Sequence, residues 1–275
     1  MFKLNQAVTP TQITHAHRLW LYVLVGLILL FLIIPCLIVI PMSFSASQYL
    51  EFPPREWSLR WYEAYLGSPE WMMATWVTVK VALMSTIIST VLGTLAAYGL
   101  SQVRGGTAKL VNSLMMLPML VPIILVAVGV FFVYSRTGLN NSITGLVLAH
   151  SVLAIPFVLI AVGNGLQGYD MNQEMAARSL GASRPWAFLT VTLPQLRLSI
   201  FSGALFAFIA SFDEVVIALF IVGGESSTLP RRMFANIRDQ IDPTVAAVST
   251  LMIVLSILLL VAMQYIKSLE RRQQH

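Results

Sequence analysis

Residues 174–194 read EMAARSLGASRPWAFLTVTLP, a polar, helix-forming segment set between two long apolar runs. Connections between neighbouring membrane helices are ordinarily short, yet roughly twenty-five residues separate these two runs. The segment carries an alanine pair, a glycine five residues after the first alanine, and a Leu-Pro at the mouth of the next run. A helix that exposes little but alanine methyls lets another protein's surface come close, so the segment reads as a docking element. Asp170 is placed to accept from the free amides of a short helix and to complement its dipole. Gly181 is placed to end that helix in the left-handed conformation. Ser183 can cap a second short helix, with Pro185 tolerated in its first turn. Trp186, Phe188 and Leu189 would then lie against the membrane ends of other helices. The expected product is a helix-turn-helix elbow; the competing reading is an interfacial amphipathic elbow without a partner.

The rest of the chain fixes the solvent. Of 275 residues, 57% are hydrophobic and only 11% charged, where a soluble domain is about one quarter charged. Unpaired backbone groups are costly in hydrocarbon, so spanning segments are helices or closed barrels. The apolar runs are long and do not alternate, which makes them helices. The fold class expected is an all-α membrane protein with six transmembrane helices over about 19–42, 76–100, 110–134, 142–163, 198–222 and 244–266. The first is too long for the apolar core of a cleaved signal and is expected to remain as an anchor.

Lysine and arginine set the expected orientation. With the N-terminus inside, the inner segments hold Lys3, Arg18, Arg104, Lys109, Arg178, Arg184, Arg197, Lys267, Arg271 and Arg272, against the acids Asp170, Glu174 and Glu270. Both termini and the elbow are then cytoplasmic. The formal charge of +5 comes from these flanking residues, which form no run, so nucleic acid is not a partner. Lys80 is expected to snorkel to the headgroups. Cys36, alone inside the first span, allows no intramolecular disulfide. His15, His17, His150 and His275 lack a second ligand at metal spacing and are expected to be solvated or interfacial. Pro118 and Pro122 are expected to interrupt the third span, and Pro156 the fourth. No internal repeat of the kind that marks secondary transporters is evident.

Asp213 and Glu214 are the sharpest residues inside a span, because charges there are expensive and usually face a cavity or a partner. Counted from Leu198 on a continuous helix, Asp213 lies roughly 22 Å along the axis, in the outer half of the membrane. On that helix Glu214 shares a stripe with Gly203, Ala207 and Ala210, and Asp213 one with Phe206, Ile209 and Phe220. Either a carboxylate helps a cationic solute across, or both pair with nearby helices or with Arg231 and Arg232. The polar outer loop 223–242 either meets a binding protein or is simply solvated.

The segment 174–194 resembles the EAA loop of ABC importer permeases, whose pattern is Glu-Ala-Ala, three residues, Gly, nine residues, Ile, one residue, Leu-Pro. Ala176 and Ala177 are followed by Arg178, Ser179 and Leu180, then Gly181; nine residues later come Val191, Thr192, Leu193 and Pro194. Met175 stands where the pattern has Glu, and Glu174, about 100° away around a helix, is not its equivalent. Ser211-Phe212-Asp213-Glu214-Val215-Val216, Thr228-Leu229-Pro230, Pro243-Thr244 with Ala246-Ala247 and Ser249-Thr250, and Thr78-Val79-Lys80-Val81-Ala82 with residues 93–97 are similar to permeases of the spermidine/putrescine type.

The resemblance implies a type I ABC importer permease of the bacterial inner membrane, multi-pass, with a coupling-helix elbow. Its implied organisation is a cytoplasmic segment 1–18, a first helix and periplasmic loop 19–74, a transmembrane domain 75–266 containing the coupling segment 170–194, and a cytoplasmic tail 267–275. It implies as partners a second permease subunit, two ATP-binding subunits and a periplasmic substrate-binding protein. It assigns coupling to Glu174, Ala176, Ala177, Arg178, Gly181, Ala182 and Ser183. Met175 suggests that the second permease is a non-identical homologue. A phosphate loop needs Gly-Lys before Ser or Thr, and none of Lys3, Lys80, Lys109 and Lys267 follows a glycine. ATP and magnesium are therefore expected on the partner ATPase, with no cofactor, metal or catalytic residue in this chain. A polyamine is the implied cargo, with an opine, an amino-acid-like compound or iron(III) as alternatives. A secondary transporter or channel working without ATP would give the elbow spacing no purpose. A membrane enzyme lacks a plausible set of reactive side chains.

Overall fold

In the computed structural model, residues 18–103, 105–239 and 242–273 are described, side chains at 263 and 265–273 excepted. Lys3, Arg104 and the side chains of Lys267, Glu270, Arg271 and Arg272, which enter the orientation argument, lie outside the described residues, as do His15, His17 and His275. The described regular structure is helical apart from one isolated bridge between Ser45 and Trp57. Four helices can each cross a membrane by length and composition, and up to six spans result if each of two bent pairs counts as one.

The chain divides into two compact units. The first comprises residues 1–65 and 241–254. Its α1, Leu19–Met42, coincides with the expected first span and buries none of its residues within the chain. Beyond it, the Ser43 hydroxyl donates to the Ile40 carbonyl at 2.6 Å and lies 2.7 Å from the Tyr62 hydroxyl. The Phe44 ring sits 5.2 Å from that of Tyr62 and 6.3 Å from that of Trp57. A short α2, Arg60–Gly67, follows. The last helix, α13, Thr244–Gln273, begins in this unit, where Asp242 accepts from the Thr244 amide at 2.9 Å.

The second unit comprises residues 66–240 and 255–275. Its centre is a trio of mutually packed helices: α3, Pro69–Gln102; α6, Ile143–Gln167; and α10, Arg197–Phe212. Helices in lipid gain no hydrophobic drive by pairing, so small residues that allow close approach and hydrogen bonds between helices do the joining. Ser85, Ser89, Gly93 and Ala97 recur every fourth residue on α3 and all are buried. The Ser85 hydroxyl donates to the Val147 carbonyl of α6 at 3.0 Å. A Cβ on Gly93 would lie 2.7 Å from Val158 Cβ, and one on Gly203 of α10 would lie 3.0 Å from Val158 Cα. Val158 is thus the point where the three helices close on one another.

Two spans are broken: the interruption of the third at Pro122 is expected from the sequence, although Pro118 lies inside a helix, and the break in the fifth is not. The third is two helices, α4, Gly106–Leu120, and α5, Ile123–Thr137, bent by 98° at Val121 and Pro122. Pro122 has no amide to pair, so a break at that point strands no donor. The fifth is not a continuous helix: α10 ends at Phe212 and a separate α11, Val216–Ile221, follows. Pro156, by contrast, does not interrupt α6, which runs through it unbroken by secondary structure. Between α6 and α10 lie the elbow helices α7, Asn172–Ser179; α8, Arg184–Ala187; and α9, Leu193–Gln195. Helix α12, Leu229–Asp239, packs on α3.

The close approach at Val158 makes a direct prediction. Gly93→Ala should destabilise the solubilised protein by about 1–3 kcal/mol, as overpacking does. Gly129→Ala, where a new Cβ meets nothing within 4 Å, should leave the thermal midpoint unchanged or raise it. Equal midpoints for the two variants would remove Val158 as the junction.

Candidate functional site

The elbow is built as its residues suggest, with two exceptions. Asp170 Oδ1 accepts from the Asn172 amide at 3.0 Å, opening α7. Gly181 has φ +97°, the left-handed stop, and the Ala182 amide reaches back to the Ala177 carbonyl at 3.1 Å. Ser183 occupies the position before α8, but its hydroxyl accepts no amide there, and its carbonyl receives Ala187 instead. The expected apolar face also splits. Phe188 is buried, its ring 4.4 Å from that of Tyr98, whereas Trp186 and Leu189 are exposed. A π-helical turn, Phe188–Thr192, then leads through α9 to a 76° bend into α10.

Glu174 does not face outward with the other residues expected to couple. It is 2% exposed, accepting from the Tyr98 hydroxyl at 2.7 Å and from the Thr192 hydroxyl at 2.7 Å. Thr192 lies 3.0 Å from the Tyr169 hydroxyl. One carboxylate thereby ties α7 to the end of α3 and to the π-helical turn, and is buried in the chain. Gln195 also donates to Gln173 across the same junction. Ala176, Arg178, Gly181 and Ser183 are exposed and Ala177 and Ala182 half-buried. Leu180, at 90% exposure, and Trp186 stand at the rim of an open cleft lined by Ala177, Gly181, Ala182 and Ser183. Met175 is exposed as well.

The second site is the break in the fifth span. Because α10 stops at Phe212, the stripes expected beyond it for a continuous helix do not exist. Glu214 caps α11: its carboxylate accepts from the amides of Ile217 at 2.9 Å and Ala218 at 3.3 Å. Its Oε2 also lies 3.3 Å from His150 Nε2, and His150 Nδ1 lies 2.8 Å from Ser211 Oγ. His150 is 1% exposed, so the solvated or interfacial role expected for it is wrong. Asp213, the first residue of the turn, is exposed, and its side chain has no partner among the described residues. Neither arginine takes these carboxylates. Arg232 pairs with Glu70 and lies over the Trp71 ring, 5.3 Å from its centroid. Arg231 donates to the Ser227 hydroxyl at 3.0 Å, and burial lowers its guanidinium pKa below the usual value. The signal for His150 was present in the sequence: a polar ring in a lipid-facing run requires a partner. Tyr98, Thr192 and Ser211 carried no such signal.

Residues 89–272 match the family model for the binding-protein-dependent transport system inner membrane component. The chain belongs to this family. Its fold agrees: the permease aligns over 94% of its length, and 99% of the other chain, with a bacterial ABC transporter structure involved in import of the acidic polysaccharide alginate, at TM-score 0.68 and 17% identity. Among sequence relatives, it is 30% identical to the spermidine/putrescine transport system permease protein PotC of Haemophilus influenzae, across 86% of this chain and 91% of that protein. It is 27% identical to the putrescine transport system permease protein PotI of Escherichia coli, across 85% of both.

The buried carboxylate makes the elbow testable. Glu174→Ala leaves the Tyr98 and Thr192 hydroxyls without their acceptor, at about 1–3 kcal/mol for each. Protease cleavage within residues 175–190 of the folded permease should accelerate, while Glu174→Gln, which keeps one acceptor oxygen, should fall between. Cleavage at the parent rate in Glu174→Ala would show that the network does not hold the elbow.

Proposed function

We propose that this permease is one of two membrane subunits of an ATP-driven importer that receives a polyamine from a periplasmic binding protein and releases it to the cytoplasm. The observation that carries the coupling half of this reading is the exposed elbow surface, where Leu180 and Trp186 project from a turn whose interior is fixed by Glu174. An apolar residue at 90% exposure beside a small-residue cleft suits insertion into a groove of an ATP-binding subunit. Two such subunits would bind ATP and magnesium, close on them, and move the spans through the docked elbows. Ala176, Ala177, Arg178, Gly181, Ala182 and Ser183 form the contact surface, and Glu174 acts behind it. Both termini and the elbow then face the cytoplasm. The exposed Met175 contributes no charge to the contact, which favours a non-identical companion that supplies one.

The cargo half is supported by the relatives, which are named for spermidine and putrescine, and by the division of labour at the break. Glu214 is committed to α11 and His150, while Asp213 is free to meet an ammonium group. We assign Asp213, rather than Glu214, to the solute path.

The decisive measurement is ATPase activity of the assembled complex in lipid, with the binding protein empty or loaded with putrescine or spermidine. Stimulation by the loaded protein is expected, and Leu180→Asp should abolish it. Stimulation only by a different solute would keep the importer and discard the polyamine. Failure of any ATPase to associate with this chain would remove the coupling half. Asp213→Asn should lower polyamine uptake by about tenfold or more, the loss expected when a desolvated charge contact disappears; unchanged uptake would return Asp213 to a structural role.

A further inference from the structure

The break between α10 and α11 is closed by an imidazole from another helix. Ser211 lies in the last turn of α10 and Glu214 caps α11, so the two flank Asp213 on either side. His150 projects from α6 and meets both: Nδ1 is 2.8 Å from Ser211 Oγ and Nε2 is 3.3 Å from Glu214 Oε2. All three are buried, at 1% exposure for His150, 4% for Ser211 and 7% for Glu214. Nδ1 and the Ser211 hydroxyl are within hydrogen-bond distance, whereas Nε2 faces the Glu214 carboxylate at 3.3 Å without hydrogen-bond geometry. The two contacts leave opposite edges of one rigid ring. The halves of the span are therefore not joined only through the three residues of the turn. They are pinned separately to α6, which is itself locked to α3 and α10 at Val158.

We propose that His150 is a positioning residue for transport: by pinning Ser211 and Glu214 it fixes the direction in which the intervening Asp213 projects. The argument rests on the assignment of Asp213 to the solute path. Glu214 alone would cap α11 without His150, because its two amide bonds need no third group. What His150 adds is a fixed relation between α10 and α11, and Asp213, whose side chain has no partner among the described residues, lies in the turn that this relation sets.

The test reads the placement of residue 213 directly. In the full complex, with Cys36→Ala to remove the single native thiol of this chain, Asp213→Cys is treated with the cationic reagent trimethylammonium-ethyl methanethiosulfonate. Labelling of this chain is followed by mass, per assembled complex. Rapid labelling is expected with His150 intact, and His150→Ala should slow it by about tenfold, because a misplacement of about 1 Å has effects of that order or more. Equal labelling rates with and without His150 would overturn the positioning role while leaving Asp213 in the path. No labelling in the parent would show that residue 213 is not in a water-accessible path, and both assignments would fall. If His150→Ala does not assemble, Ser211→Ala decides the matter: it deletes one arm of the pin and should slow labelling by a smaller factor. An unchanged rate in Ser211→Ala would overturn the proposal.

Discussion

A backbone amide in hydrocarbon has no water to turn to. That constraint makes the helices of this chain, and it also governs where they stop. At Val121 and Pro122 the chain breaks where one residue has no amide to lose. At Asp213 to Val215 it breaks where a buried carboxylate supplies the acceptor that the next helix lacks, at 2.9 and 3.3 Å from two of its first amides. The cost of burying that carboxylate is offset by the amides and by His150, 3.3 Å away. The charged residue in the span is thus a consequence of the break, and the break is possible because of the charge.

The same logic operates at the elbow with the opposite purpose. Glu174 is turned inward to satisfy two hydroxyls, which leaves the outer surface of α7 to alanine, arginine and an exposed leucine. Hydrogen bonds from α3 and from the π-helical turn hold the back of this surface. The π-helical turn itself places Thr192 on the Glu174 side while Thr190 remains exposed. Rigid attachment of the elbow to α3 puts any displacement of the docking surface in line with the helix at the centre of the packed trio.

Between these two sites lies a bundle in which close approach accompanies apolar burial. Small residues on α3 and α10 bring their backbones against Val158 of α6. Elbow, trio and broken span form one mechanical sequence: Glu174 joins the elbow to α3, Val158 joins α3 to α6 and α10, and His150 joins α6 to both halves of the fifth span. For a permease, this is a physical route between the proposed docking surface and the proposed solute path.

Much of this was legible from the residues. Hydropathy located the apolar runs, because lipid tolerates few charges in a span; the 19–42 run became a single helix of those bounds. The elbow was legible because its signals are local: Asp170 and Gly181 act on backbone within a turn of themselves. The EAA spacing pointed to the family to which the chain belongs. The directions of Glu174 and Trp186 were not legible, since which face of a short helix is covered depends on α3 and the turn that follows, far along the chain. The break at Asp213 was missed because Ser211 to Val216 contains neither proline nor glycine, and only His150, sixty-one residues from Ser211, completes the environment that stabilises it. The sequence by itself determined the solvent, the apolar runs and the helix-turn-helix form of the elbow, through composition and local backbone chemistry. Tertiary structure alone decided which carboxylates are committed and which is free, because a buried charge is settled by the partners that distant helices bring to it.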